Sequence, residues 1–132
     1  MRIVVDTSAL VAVLFGEKNG DRYAQALARS TPAISAGTLI ELLRVVTLRR
    51  TEAMRAEVQA LLGTFEIEVV PVDAAQVDHA TEGHLRFGKG RSAPPAVLNF
   101  GDLFAYALAR QLDAPLLFKG EDFAATDVRP AA

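Results

Sequence analysis

The sequence predicts one α/β domain over residues 1–132, built as a mostly parallel sheet of four to five strands with helices on both faces. Short apolar or β-branched runs alternate with helical segments along the chain, and this alternation favours right-handed crossovers between parallel strands. Of the 132 residues, 51% are hydrophobic and 23% are charged. This composition is sufficient for one compact core, and the length is too small for two domains.

The first half of the chain contains two predicted strands. Residues 2–5, RIVV, form a short β-branched run typical of a buried strand, and an Asp-Thr-Ser start signal precedes the apolar helix ALVAVLF. Residues 16–20 begin and end with glycine and break this helix. The elements that follow are a helix over 21–30, a strand over 32–35, a helix over 37–50 and a helix from about 52 to 63.

The second half continues the alternation. FEIEVVPV at 65–72 predicts a strand with Pro71 at its end. The later elements are a helix over 73–87, a Gly/Pro loop over 88–97, a helix over 101–112, a strand over 115–118, a tight turn at Gly120 and a short terminal segment around Val128. Ligands of such sheets bind beyond the carboxyl ends of the strands. Polar residues at those ends are therefore the first candidates for a functional site.

Composition excludes several classes of protein. The chain has no cysteine, so it can form neither a disulfide framework nor a thiolate metal site, and the cytoplasm is the default location. The apolar N-terminal stretch is divided by Asp6, and no small-residue cleavage signal follows it. No run reaches the roughly 18 apolar residues of a membrane-spanning helix. We expect a soluble cytoplasmic protein with no membrane contact.

The charge balance does not decide whether the partner is a nucleic acid. A net charge of −2 and a pI of about 5.6 argue against the basic face of a typical nucleic-acid binder. The basic residues are nevertheless clustered, and carboxylates gathered on a metal ion would leave a net positive surface. One cluster is Arg49, Arg50 and Arg55, and the other is Arg86, Lys89 and Arg91 in the loop RFGKGRSAPP.

Three acids lie at the ends of predicted elements. Asp6 directly follows the first strand, Asp102 opens the helix at 101–112, and Asp122 follows the last long strand by four residues. Each also has a simpler interpretation. Asp6 is a good helix N-cap, Asp102 is favoured by the helix dipole, and Asp122 is an ordinary turn residue.

Asp102 lies in the most apolar helix of the chain. Its own helical face continues with Ala105, Tyr106 and Ala109, none of which is cationic. We therefore expect the group that neutralises Asp102 to come from another segment or from a bound ion. A cluster of acids without cysteine suits hard cations such as Mg²⁺ or Mn²⁺. His79 and His84 lie five residues apart, about 140° around a helix, and are not a zinc pair.

Glu41 has two interpretations that the spacing leaves open. It lies opposite the apolar stripe of its helix, on the side that carries Gly37, Arg44 and Leu48. One interpretation is an exposed glutamate paired with Arg44 at i,i+3. The other is that this side lines a cleft, where Gly37 allows a close approach.

These pieces together resemble the PIN-domain ribonucleases, and within them the VapC-type toxins of bacterial toxin–antitoxin pairs. Four segments, in order over almost the whole chain, carry the resemblance: VVDTSALVAVLFGE with Asp6, the third helix with Glu41, FGKGRSAPPAVLNFGDLFAYALA with Asp102, and LLFKGEDFAATDV with Asp122. The resemblance implies a PIN-like three-layer α/β/α sandwich. It also implies that the four acids converge to hold Mg²⁺ or Mn²⁺.

The resemblance implies a metal-dependent endoribonuclease that cleaves RNA with metal-activated water. The substrate would be single-stranded or looped RNA, such as a transfer RNA or another structured RNA. Thr7 follows the first acid, as in many relatives, and is a candidate substrate contact. Arg86, Lys89 and Arg91 are candidate phosphate contacts, although a merely solvated loop explains these three residues equally well.

The chain departs from the family pattern at one point. Many relatives place Ser or Thr shortly before the last acid, where residues 118–120 of this chain are Phe, Lys and Gly.

Two other function classes remain as alternatives. Lys119 after the last strand suits a receiver-like module that accepts a phosphoryl group. Such modules also need paired acids after the first strand, and Asp6 has no second acid near it. The other alternative is a catalytically inactive PIN-fold binding protein, which the four intact acids disfavour.

The resemblance also implies partners, namely a VapB-type antitoxin and a second copy of the chain in a homodimer. The helices at 8–15 and 37–50 are apolar over more than one face, and we expect the surplus to form a dimer face or a groove for an antitoxin helix. A basic antitoxin side chain would then pair with the four acids and compete with the metal. The alternative is a larger core that contains all these residues.

Overall fold

The computed structural model describes residues 1–49, 53–90 and 97–132, and in them the chain has the predicted α/β architecture. A four-stranded sheet is covered by helices on both faces. The strands are β1 (Arg2–Val5), β2 (Thr31–Ser35), β3 (Glu68–Val70) and β4 (Leu116–Leu117). The helices are α1 (Thr7–Leu14), α2 (Gly20–Ala28), α3 (Ala36–Arg49), α4 (Ala53–Thr64), α5 (Ala74–Phe87) and α6 (Phe100–Leu112).

The sheet has the order β3-β2-β1-β4, and its strand pairs are parallel. β1 is a central strand, which pairs with β2 through Ile3 and Pro32 and with β4 through Val4 and Leu116. The backbone N–H of Asp6 donates to the carbonyl of Leu117 at 2.9 Å, just beyond the end of β1. Because parallel strands share one carboxyl edge, residues that follow β1 and β4 lie side by side.

β1 separates two hydrophobic clusters. Ile3 and Val5 belong to the cluster beneath α1, α2, α3 and α4, whereas Val4 belongs to the cluster beneath α6. This division follows from the alternation of side chains along a strand. All three residues are at most 1% exposed. The three-layer arrangement inferred from the alternating sequence is thus the one that the structure contains.

β3 and β4 are shorter than predicted. The predicted strand over 115–118 is only Leu116–Leu117. The predicted strand over 65–72 is only Glu68–Val70, because α4 continues to Thr64 and the chain then turns at Glu66, which has a left-handed φ of 51°. The terminal segment adds one bridge between Leu116 and Pro130 to the edge of β4. The sheet therefore has four strands in the described residues, with this bridge in place of a fifth strand.

The predicted apolar surplus is found on α3 and not on α1. The apolar residues of α1 and its C-cap belong to the core or pack against it, namely Leu10, Val11, Val13, Leu14 and Phe15. On α3, Ile40 and Leu48 are 69% and 72% exposed. α1 therefore follows the larger-core alternative, because it packs against both α2 and α3. No helix of the described residues has the length and apolar content to cross a membrane.

Candidate metal centre

Asp6 is both a helix cap and a buried acid with an unused oxygen. It is 4% exposed, and its Oδ2 accepts a hydrogen bond of 3.0 Å from the backbone N–H of Ser8, as an N-cap of α1 does. Its other oxygen, Oδ1, is buried and has no hydrogen-bond partner. Capping thus accounts for one oxygen only. The second oxygen is costly to bury unless a further group pairs with it.

Asp102 also uses one oxygen to cap a helix. Its Oδ2 accepts a 3.0 Å hydrogen bond from the backbone N–H of Asn99, and its own N–H donates to the Asn99 side chain at 3.2 Å. This reciprocal pair is a capping box at the start of α6. The sequence prediction concerned the group that neutralises Asp102, and this hydrogen bond from an uncharged backbone amide does not contradict it. The hydrogen bond does not neutralise the charge.

Burial and mutual repulsion raise the pKa of both buried acids. Burial raises the pKa of Asp102 to about 8, the Asn99 hydrogen bond opposes this rise, and the charges of Asp6 and Asp122 add to it. Burial likewise raises the pKa of Asp6 to about 6; hydrogen bonds from Ser8 oppose the rise, and the charge of Glu41 adds to it. The ionised carboxylates are therefore destabilised here unless a cation accompanies them.

Glu41 reaches the site because two helices approach closely. A side-chain carbon on Gly101 of α6 would collide with the Glu41 carboxylate, and one on Gly37 of α3 would collide with the ring of Phe104. Thr7 Oγ1 donates a 2.6 Å hydrogen bond to Glu41 Oε1. Both Glu41 and Arg44 are described, and no ion pair joins them. The cleft interpretation of Glu41 therefore agrees with the structure.

The four predicted acids line one cleft of about 430 Å³. Asp122 is exposed at this cleft, whereas Asp6 and Asp102 are buried. As the side chains stand, no group of three or more acidic or imidazole side chains in the described residues is arranged to hold a metal ion. Glu41 accepts a hydrogen bond from the Thr7 hydroxyl, and Asp102 accepts one from the backbone N–H of Asn99.

The residues of this cleft nevertheless fit a hard divalent cation. The donors are carboxylate oxygens, the ligand type that Mg²⁺ and Mn²⁺ prefer. The buried Oδ1 of Asp6 lacks a partner, and burial together with repulsion from Asp6 and Asp122 raises the pKa of Asp102. A bound cation would pair with Oδ1 of Asp6 and would stabilise the ionised form of Asp102.

The predicted substrate contacts are distributed differently. Thr7 lines the cleft, whereas Arg86 and Lys89 do not. The Arg86 guanidinium pairs with Asp127 at 3.1 Å and with Glu82 at 3.5 Å. Lys89 is exposed. Arg91, the third candidate phosphate contact, lies outside the described residues.

Sequence reasoning missed a second set of cleft residues. Ser8 Oγ donates to Asp6 Oδ2 at 2.7 Å and accepts from the backbone N–H of Lys119 at 2.9 Å, so it links the ends of β1 and β4. Glu17 accepts from Lys119 Nζ at 3.0 Å and pairs with Arg49 at 3.5 Å. The hydrogen bond from Lys119 lowers the pKa of Glu17. The available signals were the Ser of Asp-Thr-Ser and the lysine three residues before the last acid.

Comparison with known proteins agrees with the fold and identifies the family. The sequence pattern of the family described as PIN domain matches residues 3–129 of this chain. Ribonuclease VapC42 of Mycobacterium tuberculosis is 41% identical over 130 residues, which cover 98% of each chain. The crystal structure of VapBC2 from Rickettsia felis, bound to a DNA fragment from their promoter, has a TM-score of 0.76 at 16% identity and covers 98% of this chain and 96% of that one.

A second solved structure has the same fold. VapC20 of Mycobacterium tuberculosis, described as a sarcin-ricin loop cleaving toxin, aligns with a TM-score of 0.74 at 21% identity. The alignment covers 97% of this chain and 99% of that chain. At this level of identity the two structural matches establish the fold, and the sequence match to VapC42 establishes the family.

Proposed function

The chain belongs to the PIN-domain family, within its group of VapC ribonucleases, and from that premise we propose that it is a Mg²⁺- or Mn²⁺-dependent endoribonuclease toxin controlled by a VapB-type antitoxin. The observation that carries the proposal is the buried Oδ1 of Asp6, which has no hydrogen-bond partner and belongs to a residue that lines one cleft with three other acids. A charged oxygen in that position requires a cation. RNA cleavage implies the cytoplasm as the place of action.

Asp6, Glu41, Asp102 and Asp122 would hold the cation. When bound, a divalent cation supplies a water of lowered pKa and stabilises the charge that develops on the phosphate oxygens. Asp6 and Asp102 each have one oxygen fixed by a helix cap, so the remaining oxygen of each has a defined direction. This is the preorganisation that a metal ligand needs.

The other two acids have different surroundings. Thr7 orients Glu41 by its hydrogen bond, and the lack of a side chain on Gly101 leaves room for the Glu41 carboxylate. Asp122 is the exposed acid and is suited to accept the proton of the attacking water. No covalent intermediate on the protein is required in this scheme.

The substrate that we propose is a single-stranded or looped RNA. The name of VapC20 refers to the sarcin-ricin loop, which supports a looped, structured RNA as the substrate class. Thr7 lines the cleft and stays a candidate substrate contact. Arg86, Lys89 and Arg91 stay candidates for phosphates beyond the cleft. Arg86 would have to exchange its ion pair with Asp127 for a phosphate.

We also propose two protein partners, a VapB-type antitoxin and a second copy of this chain. The Rickettsia felis structure contains VapB with VapC, which supports the antitoxin. A basic antitoxin side chain would pair with the four acids and displace the metal. For the homodimer, the support is an apolar pocket of about 340 Å³ between α5 and α6. At its rim Phe100 is 76% exposed and Val77 is 56% exposed.

The decisive experiment compares the parent with Asp6→Asn after removal of metals by EDTA. End-labelled RNA is incubated with each protein while Mg²⁺ or Mn²⁺ is titrated. We expect cleavage by the parent only with metal, and none by Asp6→Asn. Equal cleavage by both proteins would remove Asp6 from the site. Labelling by acetyl phosphate without RNA cleavage would instead support the receiver-like module. The absence of both activities would support an inactive binding protein.

A further inference from the structure

Basic side chains line the cleft beside its acids. RNA presents phosphates to a site that already holds four carboxylates, so the substrate needs positive charge close to the metal. Among the described residues that line the cleft, the cationic ones are Arg49 and Lys119. Both are paired with the same acid, Glu17. In the absence of RNA, the Glu17 carboxylate thus pairs with both of these basic side chains.

Lys119 is the better placed of the two cations. Its backbone N–H donates to Ser8 Oγ, and the same hydroxyl donates to Asp6 Oδ2. The backbone that carries the ammonium is therefore fixed through one hydroxyl to the acid with the unpaired oxygen. Lys119 also precedes Asp122 by three residues. Lys119 itself lines the cleft, so a phosphate at the mouth of the cleft lies within the region that its flexible side chain can cover.

The ion pair with Glu17 is of a kind that can exchange. The side chains of Lys119 and Glu17 are 33% and 31% exposed, and partly exposed ion pairs contribute little to stability. The Arg49 side chain is 53% exposed and its distance to Glu17 is longer, at 3.5 Å. Its guanidinium also lies 5.2 Å from the centre of the Phe15 ring. An entering phosphate can therefore replace Glu17 at Lys119 without disrupting the core.

We propose that Lys119 binds a backbone phosphate of the RNA at the mouth of the carboxylate cleft, and that Glu17 is its internal competitor. Glu17 holds the ammonium in the free protein and releases it when a phosphate enters. This inference rests on the proposed function for its substrate class. It assigns a role to the lysine that precedes Asp122 by three residues, and it gives a role to an acid outside the set of four.

The test is RNA binding without cleavage, measured by fluorescence anisotropy of a labelled single-stranded RNA. All proteins are full-length and carry Asp102→Asn, and the salt concentration is varied. Lys119→Gln should weaken binding by about 3- to 10-fold and reduce the salt slope by about one. Lys18→Gln is the matched control, because Lys18 is an exposed lysine next to Glu17 that does not line the cleft. It should change binding by less than about twofold.

Glu17→Gln separates a competitor from a structural partner. As a competitor, Glu17 opposes RNA binding, so Glu17→Gln should tighten binding by about 3- to 10-fold. In the double variant Glu17→Gln/Lys119→Gln most of this gain should disappear, because the two residues are coupled. If the ion pair were only structural, both single variants would lower the melting temperature and neither would shift the dissociation constant. That outcome would overturn the inference.

The outcomes also separate this inference from the proposed ribonuclease. If the Asp102-intact protein cleaves RNA and Lys119→Gln binds like Lys18→Gln, the phosphate contact is wrong and the ribonuclease stands. If binding depends on Lys119 and neither Mg²⁺ nor Mn²⁺ supports cleavage by the intact protein, the ribonuclease is wrong and the phosphate contact stands. A protein that binds no RNA overturns the contact. In cleavage assays Lys119→Gln should raise KM with little change in kcat.

Discussion

Helix α6 borders two concave surfaces of similar size and opposite character. One is the carboxylate cleft of about 430 Å³, to which α6 contributes Asp102. The other is the apolar pocket of about 340 Å³ between α5 and α6, to which it contributes Phe100, Leu103, Phe104 and Ala107. The same helix therefore carries a buried charge on one side and exposed apolar area on another.

The difference between these surfaces lies in what each one lacks. In the cleft, Oδ1 of Asp6 is unpaired and carries negative charge when Asp6 is ionised. The cleft therefore lacks a positive partner, which a cation supplies. The pocket also contains a residue with an unpaired buried oxygen, Oε1 of Gln76. That oxygen is neutral, and the larger cost in the pocket is the exposure of Phe100 and Val77. A protein surface meets that requirement better than an ion.

The largest effect should come from removing one charge on the cleft side. Asp102→Asn should reduce metal-dependent RNA cleavage by at least about 10³-fold, because a bound divalent cation contributes several kcal/mol to the transition state. The fold should survive, since the asparagine oxygen can still accept from the Asn99 N–H. Thermal unfolding with and without Mn²⁺ checks this, because Mn²⁺ should raise the melting temperature of the parent only. Parent-like cleavage by Asp102→Asn would remove this acid from the site.

The next effect is the pH dependence of stability in the metal-free protein. Both buried acids have a raised pKa, about 6 for Asp6 and about 8 for Asp102, against an ordinary value of 3.8. Above the ordinary value the unfolded chain releases these protons first, so the free energy of unfolding falls as the pH rises from about 4 towards 8. Asp6 alone accounts for on the order of 3 kcal/mol.

Urea unfolding in EDTA at several pH values measures this slope. Asp102→Asn should remove the part of the slope between about pH 6 and pH 8, and it serves as the internal control. Equal stability of the metal-free parent at pH 5 and at pH 8 would contradict the shared burial of the two acids.

A smaller effect should follow from moving Glu41 without removing it. A side-chain carbon at Gly101 would collide with the Glu41 carboxylate, whereas at Gly63 it would meet open space. Gly101→Ala should therefore reduce cleavage by about 10- to 100-fold through misplacement of an acid. Gly63→Ala, in α4, is the matched control and should keep full activity with a slight gain in stability. Equal activity of the two variants would show that the position of Glu41 does not matter.

The smallest effect belongs to the apolar pocket. Val77→Glu places a charge on the exposed rim and should weaken the proposed homodimer at least about tenfold, because a buried unpaired charge opposes association. Ala60→Glu, an exposed position on α4 outside the pocket, is the control. Sedimentation of the two variants over a concentration range measures the difference. Identical behaviour of both variants and the parent would place the dimer contact elsewhere or exclude it.

Much of the fold could be predicted because it depends on local patterns. The alternation of apolar runs and helical segments predicted the parallel sheet with helices on both faces, since period and length within one segment determine the type of element. The Asp-Thr-Ser signal after β1 predicted the cap at Asp6, which the structure contains. The capping box of Asn99 and Asp102 is local too. The apolar residues that follow Asp102 indicated no local partner, whereas its partner Asn99 precedes it by three residues.

The tertiary structure decided which residues meet across elements. The sequence left two interpretations of Glu41 open, and in the structure Gly101 of α6 lies against its carboxylate. The pairing of Lys119 with Glu17 joins residues 102 positions apart, and no helical or strand period relates them. The apolar surplus of α1 was likewise buried by α2 and α3. Periodicity in a sequence defines the faces of each element, whereas the packing of the whole chain determines what each face contacts.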